Sequence, residues 1–283
     1  MAPPPEPLDR LRTAPVALLG RIVESSNATF LVSVAEVEAG GADPDDDPGD
    51  DPGQPLAAAG AEVRVEAGDD APDRSPPGRR DTSDLPPGLK AVYKPLRGER
   101  PLWDFPEGLF RREAAAYELS AALGWDLVPG TVVREDAPLG VGSLQRFVEA
   151  DFSRHYFVLR DEGHHDGQLM RMCAFDLLAN NTDRKGGHVL VDGDDHVWGI
   201  DNGLCFSTEA RLRTVIWDFA GLPVPDDVMD GVATLLATGL PGPVAALLLD
   251  DEAEAVLRRA RVLRSARQFP HDPTGRRIPW PLI

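Results

Sequence analysis

The chain has 283 residues with 42% apolar content, enough for one two-lobed domain or two small ones. Lys and Arg total 29 against 47 Asp and Glu, and the resulting net charge of −18 argues against a nucleic-acid phosphate grip and against a polybasic membrane surface. Two cysteines in apolar stretches, no basic or apolar leader in MAPPPEPLDR and no apolar run of 18 residues together lead us to expect a cytoplasmic protein without a disulfide framework. Only Lys90, Lys94 and Lys185 are lysine, beside 26 arginines, so each lysine marks a place where a compact ammonium is a choice.

Taken in chain order, residues 16–23 and 29–37 are rich in β-formers and flank a polar tip, which predicts a hairpin. Residues 39–87 carry 13 acidic and 4 basic side chains with nine Pro and seven Gly, a composition that predicts a disordered acidic insertion. Residues 89–94 alternate as a strand, 110–123 have helical periodicity ending at Gly124, and 128–134 and 141–148 read as strands. Beyond Gly167 the pattern turns helical: a helix over 168–178, a short strand pair at 189–191 and 197–200, then helices near 207–211, 225–238, 244–249 and 252–267. The expected fold is α+β with two lobes: a β-rich N-lobe over residues 1–148, including the insertion, and a helical C-lobe over 149–283.

The densest chemistry lies in FDLLANNTDRKGGHVLVDGDDHVWGIDNGLCF, residues 175–206. A helix runs into a polar loop with Asp183 and Arg184, a hairpin follows, and an Asp-Asn-Gly turn begins at Asp201. Phosphoryl transfer needs one carboxylate to orient an attacking hydroxyl and a second to hold a divalent cation against ATP. Asp183 and Asp201 stand 18 residues apart with a hairpin to fix their separation. Gly203 is expected to let the chain turn after the second carboxylate.

The blocks NNTDRKGGHVLVD and WGIDNGLCF resemble the catalytic and activation segments of the phosphatidylinositol 3-/4-kinase superfamily, nearest to the type II phosphatidylinositol 4-kinases and bacterial relatives. VYKP at 92–95, the helix around Glu113 and GSLQRFVE at 142–149 resemble that family's ATP-lysine strand, glutamate-bearing helix and hinge strand, in the same order. The resemblance implies a protein-kinase-like fold of the atypical, phosphatidylinositol-kinase-like kind, and an ATP- and Mg²⁺-dependent (or Mn²⁺-dependent) phosphotransferase. It implies that Lys94 contacts the α/β-phosphates and is held by Glu113, that Ser26 and Asn27 belong to the phosphate-covering hairpin, and that Phe147 and Val148 offer backbone groups to adenine. Asp183 becomes the catalytic base or hydroxyl-orienting group, Arg184 its ion-pair partner, and Asp201 the metal ligand. Lys185 either meets the γ-phosphate or substrate or is a solvated loop lysine.

One departure matters. The family places asparagine five residues after the catalytic aspartate as a second metal ligand, and this chain has His188 there. Imidazole is a poorer ligand for Mg²⁺ than a carbonyl oxygen, though it accepts Mn²⁺. Either His188 ligates through nitrogen, or Asn202 or Asn181 covers the role, or turnover is weak and the protein is a nucleotide-binding pseudokinase that regulates a partner. The acidic surface points to a hydroxyl acceptor on a protein or small molecule rather than a membrane lipid, and to no nucleic-acid partner. His164 and His165 are read as free of metal, because adjacent side chains point apart on most backbones. The Asp192–Asp195 run is read as the tip of the hairpin.

Overall fold

The computed structural model describes residues 7–22, 27–36 and 88–283. Strands β1 (Val16–Ile22), β2 (Thr29–Val34), β3 (Leu89–Pro95), β4 (Thr131–Arg134) and β5 (Gly142–Arg146) form one antiparallel sheet in the order β1-β2-β3-β5-β4. Alternation in β3 sends Ala91 and Tyr93 into the core and leaves Val92 and Lys94 on the other face. The insertion expected over 39–87 lies outside the described residues.

Helix α1 (Pro7–Thr13) precedes the sheet and buries Leu11 against it. Sequence reading missed it, although Pro7 at a first helical position is a start signal. Arg134 of β4 donates to the carbonyls of Leu11 and Ala14, at 2.9 and 3.1 Å, so acceptors at the end of this short helix are satisfied from the sheet.

Helix α2 (Leu109–Ala122) is buried along most of its length, as a helix between sheet and helical lobe must be. Its orphan N-terminal donors are met from a distance, since Gly108 and Phe110 N–H both bond Glu99 at 2.9 Å. The helical lobe contains α3 (Tyr156–Glu162), α4 (Asp166–Ala179), α5 (Asp226–Thr238), α6 (Gly242–Ala245) and α7 (Asp250–Ala266), with the two-stranded ribbon β6 (Val189–Val191) and β7 (Val197–Gly199). Leu169, Met172, Phe175 and Leu178 of α4 form the centre of its core with Val228 and Val232 of α5 and Val256 of α7. Each such side chain contributes roughly 1.5–3 kcal/mol on burial. The α+β, two-lobed arrangement read from the sequence is thus the one adopted.

Two expected helices differ. Residues 207–211 are not helical: the Asn180 side chain bonds the carbonyls of Ser207 and Glu209 and the N–H of Arg211, so these backbone groups are spent on a cap rather than on each other. The helix expected at 244–249 is displaced to Gly242–Ala245, because Pro241 and Gly242 start it early. The Asp192 carboxylate accepts from Asp194 and His196 N–H, both at 3.0 Å, and makes 192–195 the hairpin tip.

Candidate functional site

Lys94 is the last residue but one of β3, opposite Ser143 of β5. The two strands close tightly beside it: a Cβ on Gly142 would stand 2.4 Å from the Lys94 carbonyl oxygen, so only glycine fits. From this strand the ammonium reaches two carboxylates. It forms an ion pair with Glu113 of α2 and lies 2.7 Å from Asp201 Oδ1. Burial alone would lower the lysine's pKa. The charges of Asp201 and Glu113 overrule it and hold the ammonium above lysine's usual value.

Glu113 is almost fully buried and uses its second oxygen to accept Asn202 N–H at 3.0 Å. One carboxylate therefore joins the β3 lysine to the Asp-Asn-Gly turn. Gly203 has no left-handed φ; the positive φ falls on Asp201 itself, at 57°. The expectation that Gly203 turns the chain is replaced by a packing reason, since a Cβ there would lie 3.3 Å from Glu113 Oε1.

Asp183 is positioned by the end of α4. Asn180 caps the helix in the left-handed conformation, at φ 52°, and Asn181 Oδ1 accepts Asp183 N–H at 2.9 Å. Burial raises the Asp183 carboxyl's pKa, opposed by its ion pair with Lys185 at 3.1 Å. Asp201 is shifted the other way: the Lys94 ammonium lowers it, outweighing burial. The two carboxyls of the site are thus driven apart in proton affinity, as an acid–base group and a cation ligand require.

Asn27, Lys94, Glu113, Asp183 and Asp201 line one cavity of about 260 Å³. That is slightly under the roughly 300–1,000 Å³ that envelops a drug-sized ligand. Its wall is mixed: these charged and polar groups share it with Leu109, Phe110 and Leu204. Asn27 is fixed there by accepting Arg100 N–H at 3.0 Å. Ser26 lies outside the described residues.

His188 ends a single 3₁₀ turn at Gly186–His188 and brings Nε2 to 3.4 Å from Asp201 Oδ2. That spacing is close to what two donors about 2.1 Å from one cation show. Burial lowers its pKa to about 4, against the attraction of Asp201, so the imidazole is neutral at pH 7. Nδ1 lies 3.4 Å from Lys185 N and accepts its N–H, which leaves the ring proton on Nε2 facing Asp201. A cation would displace that proton. The other two residues considered for this role are spent. Asn181 Oδ1 and Nδ2 are bonded to Asp183 N and Asp176, and Asn202 Oδ1 and Nδ2 to Arg184 and the Gly199 carbonyl; both side chains are fully buried.

Arg184 requires a correction. It turns into the core, fully buried, and pairs with Asp176 of α4 rather than with Asp183. It also donates to the Ile200 carbonyl at 2.8 Å and to Asn202 Oδ1 at 2.7 Å. The guanidinium is a fork with five donors, and here it ties the loop after α4 to the Asp201 turn. Asp176 was missed; its only sequence signal is an acid on the apolar face of α4. Lys185, not Arg184, is the cation on Asp183.

Phe147 also departs from expectation. Its N–H bonds the Lys90 carbonyl at 3.0 Å, continuing the β3–β5 ladder by one residue, so it is not free for adenine. The Val148 side chain packs with Leu190 and Trp198 in a small apolar cluster on the strands between His188 and Asp201.

Leu282 and Ile283 cross the loop that carries Gly186 and Gly187. Gly186 N–H bonds the Leu282 carbonyl at 2.7 Å, and Ile283 lies against Gly187. Among the described residues no helix is long and apolar enough to cross a membrane.

No protein-family model matches the chain. Protein Rv2133c of Mycobacterium tuberculosis (strain ATCC 25618 / H37Rv) is 42% identical over 231 residues, which span 68% of this chain and 82% of that protein. Among solved structures, the Golgi casein kinase with Mn/ADP bound aligns with 94% of this chain and 79% of its own at 12% identity and a TM-score of 0.47. The Helicobacter pylori proinflammatory kinase CtkA aligns with 64% and 85% at 11% identity and 0.40. Both likenesses are remote.

Proposed function

We propose a catalytic role for this chain, which belongs to the family of the mycobacterial Protein Rv2133c: it transfers the γ-phosphoryl group of ATP to a hydroxyl acceptor, as an atypical kinase resembling the phosphatidylinositol 3-/4-kinases. One observation carries the reading. A strand lysine is held between a helix glutamate and a turn aspartate, and a second aspartate of opposite pKa shift lines the same cavity.

Asp201 and His188 are the donors that would hold Mg²⁺ or Mn²⁺, and the cation would supply charge neutralisation at the phosphate oxygens. A carboxylate and a neutral imidazole 3.4 Å apart are a workable pair for Mn²⁺ and a weaker one for Mg²⁺. Lys94 places an ammonium beside the same carboxylate, and its charge would add to the cation's in holding phosphate. Asp183 orients the acceptor hydroxyl and takes its proton, and its raised pKa suits it to that exchange. Lys185 keeps that carboxylate paired until the acceptor arrives. Arg184 acts indirectly, by holding the loop. The acceptor is a hydroxyl on a protein or small molecule rather than a lipid surface, in keeping with the acidic chain. Two free, buried cysteines suit a cytoplasmic setting.

A second reading has its own support. With Asn181 and Asn202 spent, the second metal donor is an imidazole, which favours a nucleotide-binding module of low turnover. One experiment separates the two. Thermal shift with ATP and Mg²⁺ or Mn²⁺ reports binding, and release or transfer of labelled γ-phosphate reports turnover. Binding with transfer that Asp183→Ala abolishes supports the kinase; binding without transfer supports the module; no shift with either metal sinks both.

A further inference from the structure

We propose that the turn between α3 and α4 is a zinc site, built by Glu162, His164 and His165 and supported by Asp195. Glu162 ends α3, Gly163 turns the chain in the left-handed conformation at φ 76°, and His165 caps α4. This tight turn overrides the expectation that neighbouring histidines diverge: the two ring centroids are 3.9 Å apart, with the planes tilted by 41°. One ligand atom from each of the three residues lies within 4.8 Å of the others. Glu162 Oε2 stands 3.6 Å from His165 Nδ1 and 3.8 Å from His164 Nε2. Donors about 2.1 Å from a tetrahedral ion are about 3.4 Å apart, so both carboxylate–imidazole distances are within a few tenths of an ångström of that spacing.

His165 is the independent pointer to a ligand. Its side chain is only 1% exposed, yet neither ring nitrogen has a hydrogen-bond partner. An unsatisfied buried imidazole is costly unless something occupies it. Its second nitrogen, Nε2, faces Asp195 Oδ1 at 3.6 Å, and metal-bound histidines commonly give their other N–H to a carboxylate. Arg154 bonds both oxygens of Glu162, at 3.2 and 2.7 Å, and approaches Asp195 at 3.8 Å, steadying both acids while each Glu162 oxygen keeps a lone pair. Two carboxylates against one guanidinium give the turn an excess of acidic groups. Two nitrogens and one carboxylate oxygen, with a position open to solvent beside exposed His164, match zinc rather than Mg²⁺ or Ca²⁺.

The site would act as a clip. Asp195 is at the tip of the β6–β7 ribbon, and Gln168 of α4 already bonds that ribbon at the Asp195 carbonyl and at Val197 N–H. Zinc would add a charged tether between the α3–α4 turn and the ribbon whose ends carry His188 and Asp201.

The test uses the full chain, stripped of metal with chelator and titrated with Zn²⁺ in excess Mg²⁺, with Co²⁺ as a visible-absorption probe of nitrogen ligation. One Zn²⁺ should bind outside the cleft, and therefore persist in Asp201→Asn. His164→Ala removes an exposed side chain and leaves the fold intact by circular dichroism; it and Glu162→Gln should each weaken Zn²⁺ binding by at least about tenfold, and Asp195→Asn by about tenfold. Absence of Zn²⁺ binding overturns the site, as does affinity unchanged in His164→Ala and Glu162→Gln or binding that disappears only in Asp201→Asn.

Discussion

Arg112 of α2 and Glu252 of α7, 140 residues apart in sequence, form an ion pair that is buried on both sides. Arg112 also donates Nε–H to the Cys205 carbonyl at 3.1 Å. The residue next to Glu113 therefore anchors α2 to the helical lobe, and the partner of Lys94 is held in place from below. Glu252→Ala leaves a guanidinium uncompensated in the interior and is expected to cost about 3–5 kcal/mol, read from the urea midpoint. Glu252→Gln keeps an acceptor and should cost less. An unchanged midpoint in the alanine variant would contradict the anchoring role.

Lys94→Met removes the only ammonium between Glu113 and Asp201. Phosphoryl transfer should fall by at least about 100-fold, the scale of losing one preorganised charge contact. Lys94→Arg should not restore it, because a planar fork does not fit where a point charge bridged two acids. Adding Glu113→Gln to Lys94→Met should recover stability without recovering transfer, which separates the structural from the chemical part of the triad.

Asp201→Asn and Asp183→Asn should fail differently. Asparagine accepts the left-handed backbone at φ 57°, so Asp201→Asn keeps the turn and loses the cation ligand; ATP stabilisation should cease to depend on Mn²⁺. Asp183→Asn should retain the Mn²⁺–ATP thermal shift while transfer drops by about 10²–10⁴-fold. Equal loss of nucleotide binding in both would contradict the division of roles.

His188 sets a pH window in the metal-free protein. Its folded pKa is lowered to about 4 from 6.5, so between these values the unfolded chain binds the extra proton. Stability contributed by the neutral ring is present above pH 6.5 and is lost as pH falls towards 4. Denaturant midpoints from pH 4 to 7 should therefore show a steeper rise in wild type than in His188→Asn. Parallel curves would mean that the ring titrates normally.

Much of this site was legible because its chemistry is local. The Asp183 loop, the ribbon and the Asp-Asn-Gly turn lie within one stretch, and the rarity of lysine singled out Lys94. What escaped depends on long-range burial. Asp176 becomes the partner of Arg184 because α4 packs over the catalytic loop, and no spacing rule separates that acid from an exposed one. Phe147 reads as a hinge residue in sequence, but strand pairing with Lys90 claims its N–H first. The close approach of His164 and His165 is not legible in sequence because the turn at Gly163 depends on how α3, a helix of seven residues, packs. The absence of the expected helix at 207–211 has the same origin: Asn180 competes for the backbone from 27 residues away.

The hydrogen bond from Gly186 to the Leu282 carbonyl has a practical side. Removing Leu282 and Ile283 would take away the acceptor of that bond and loosen the 3₁₀ turn that ends in His188 and adjoins Lys185. A variant shortened by these two residues should then differ in turnover from the unshortened protein while its circular dichroism stays the same.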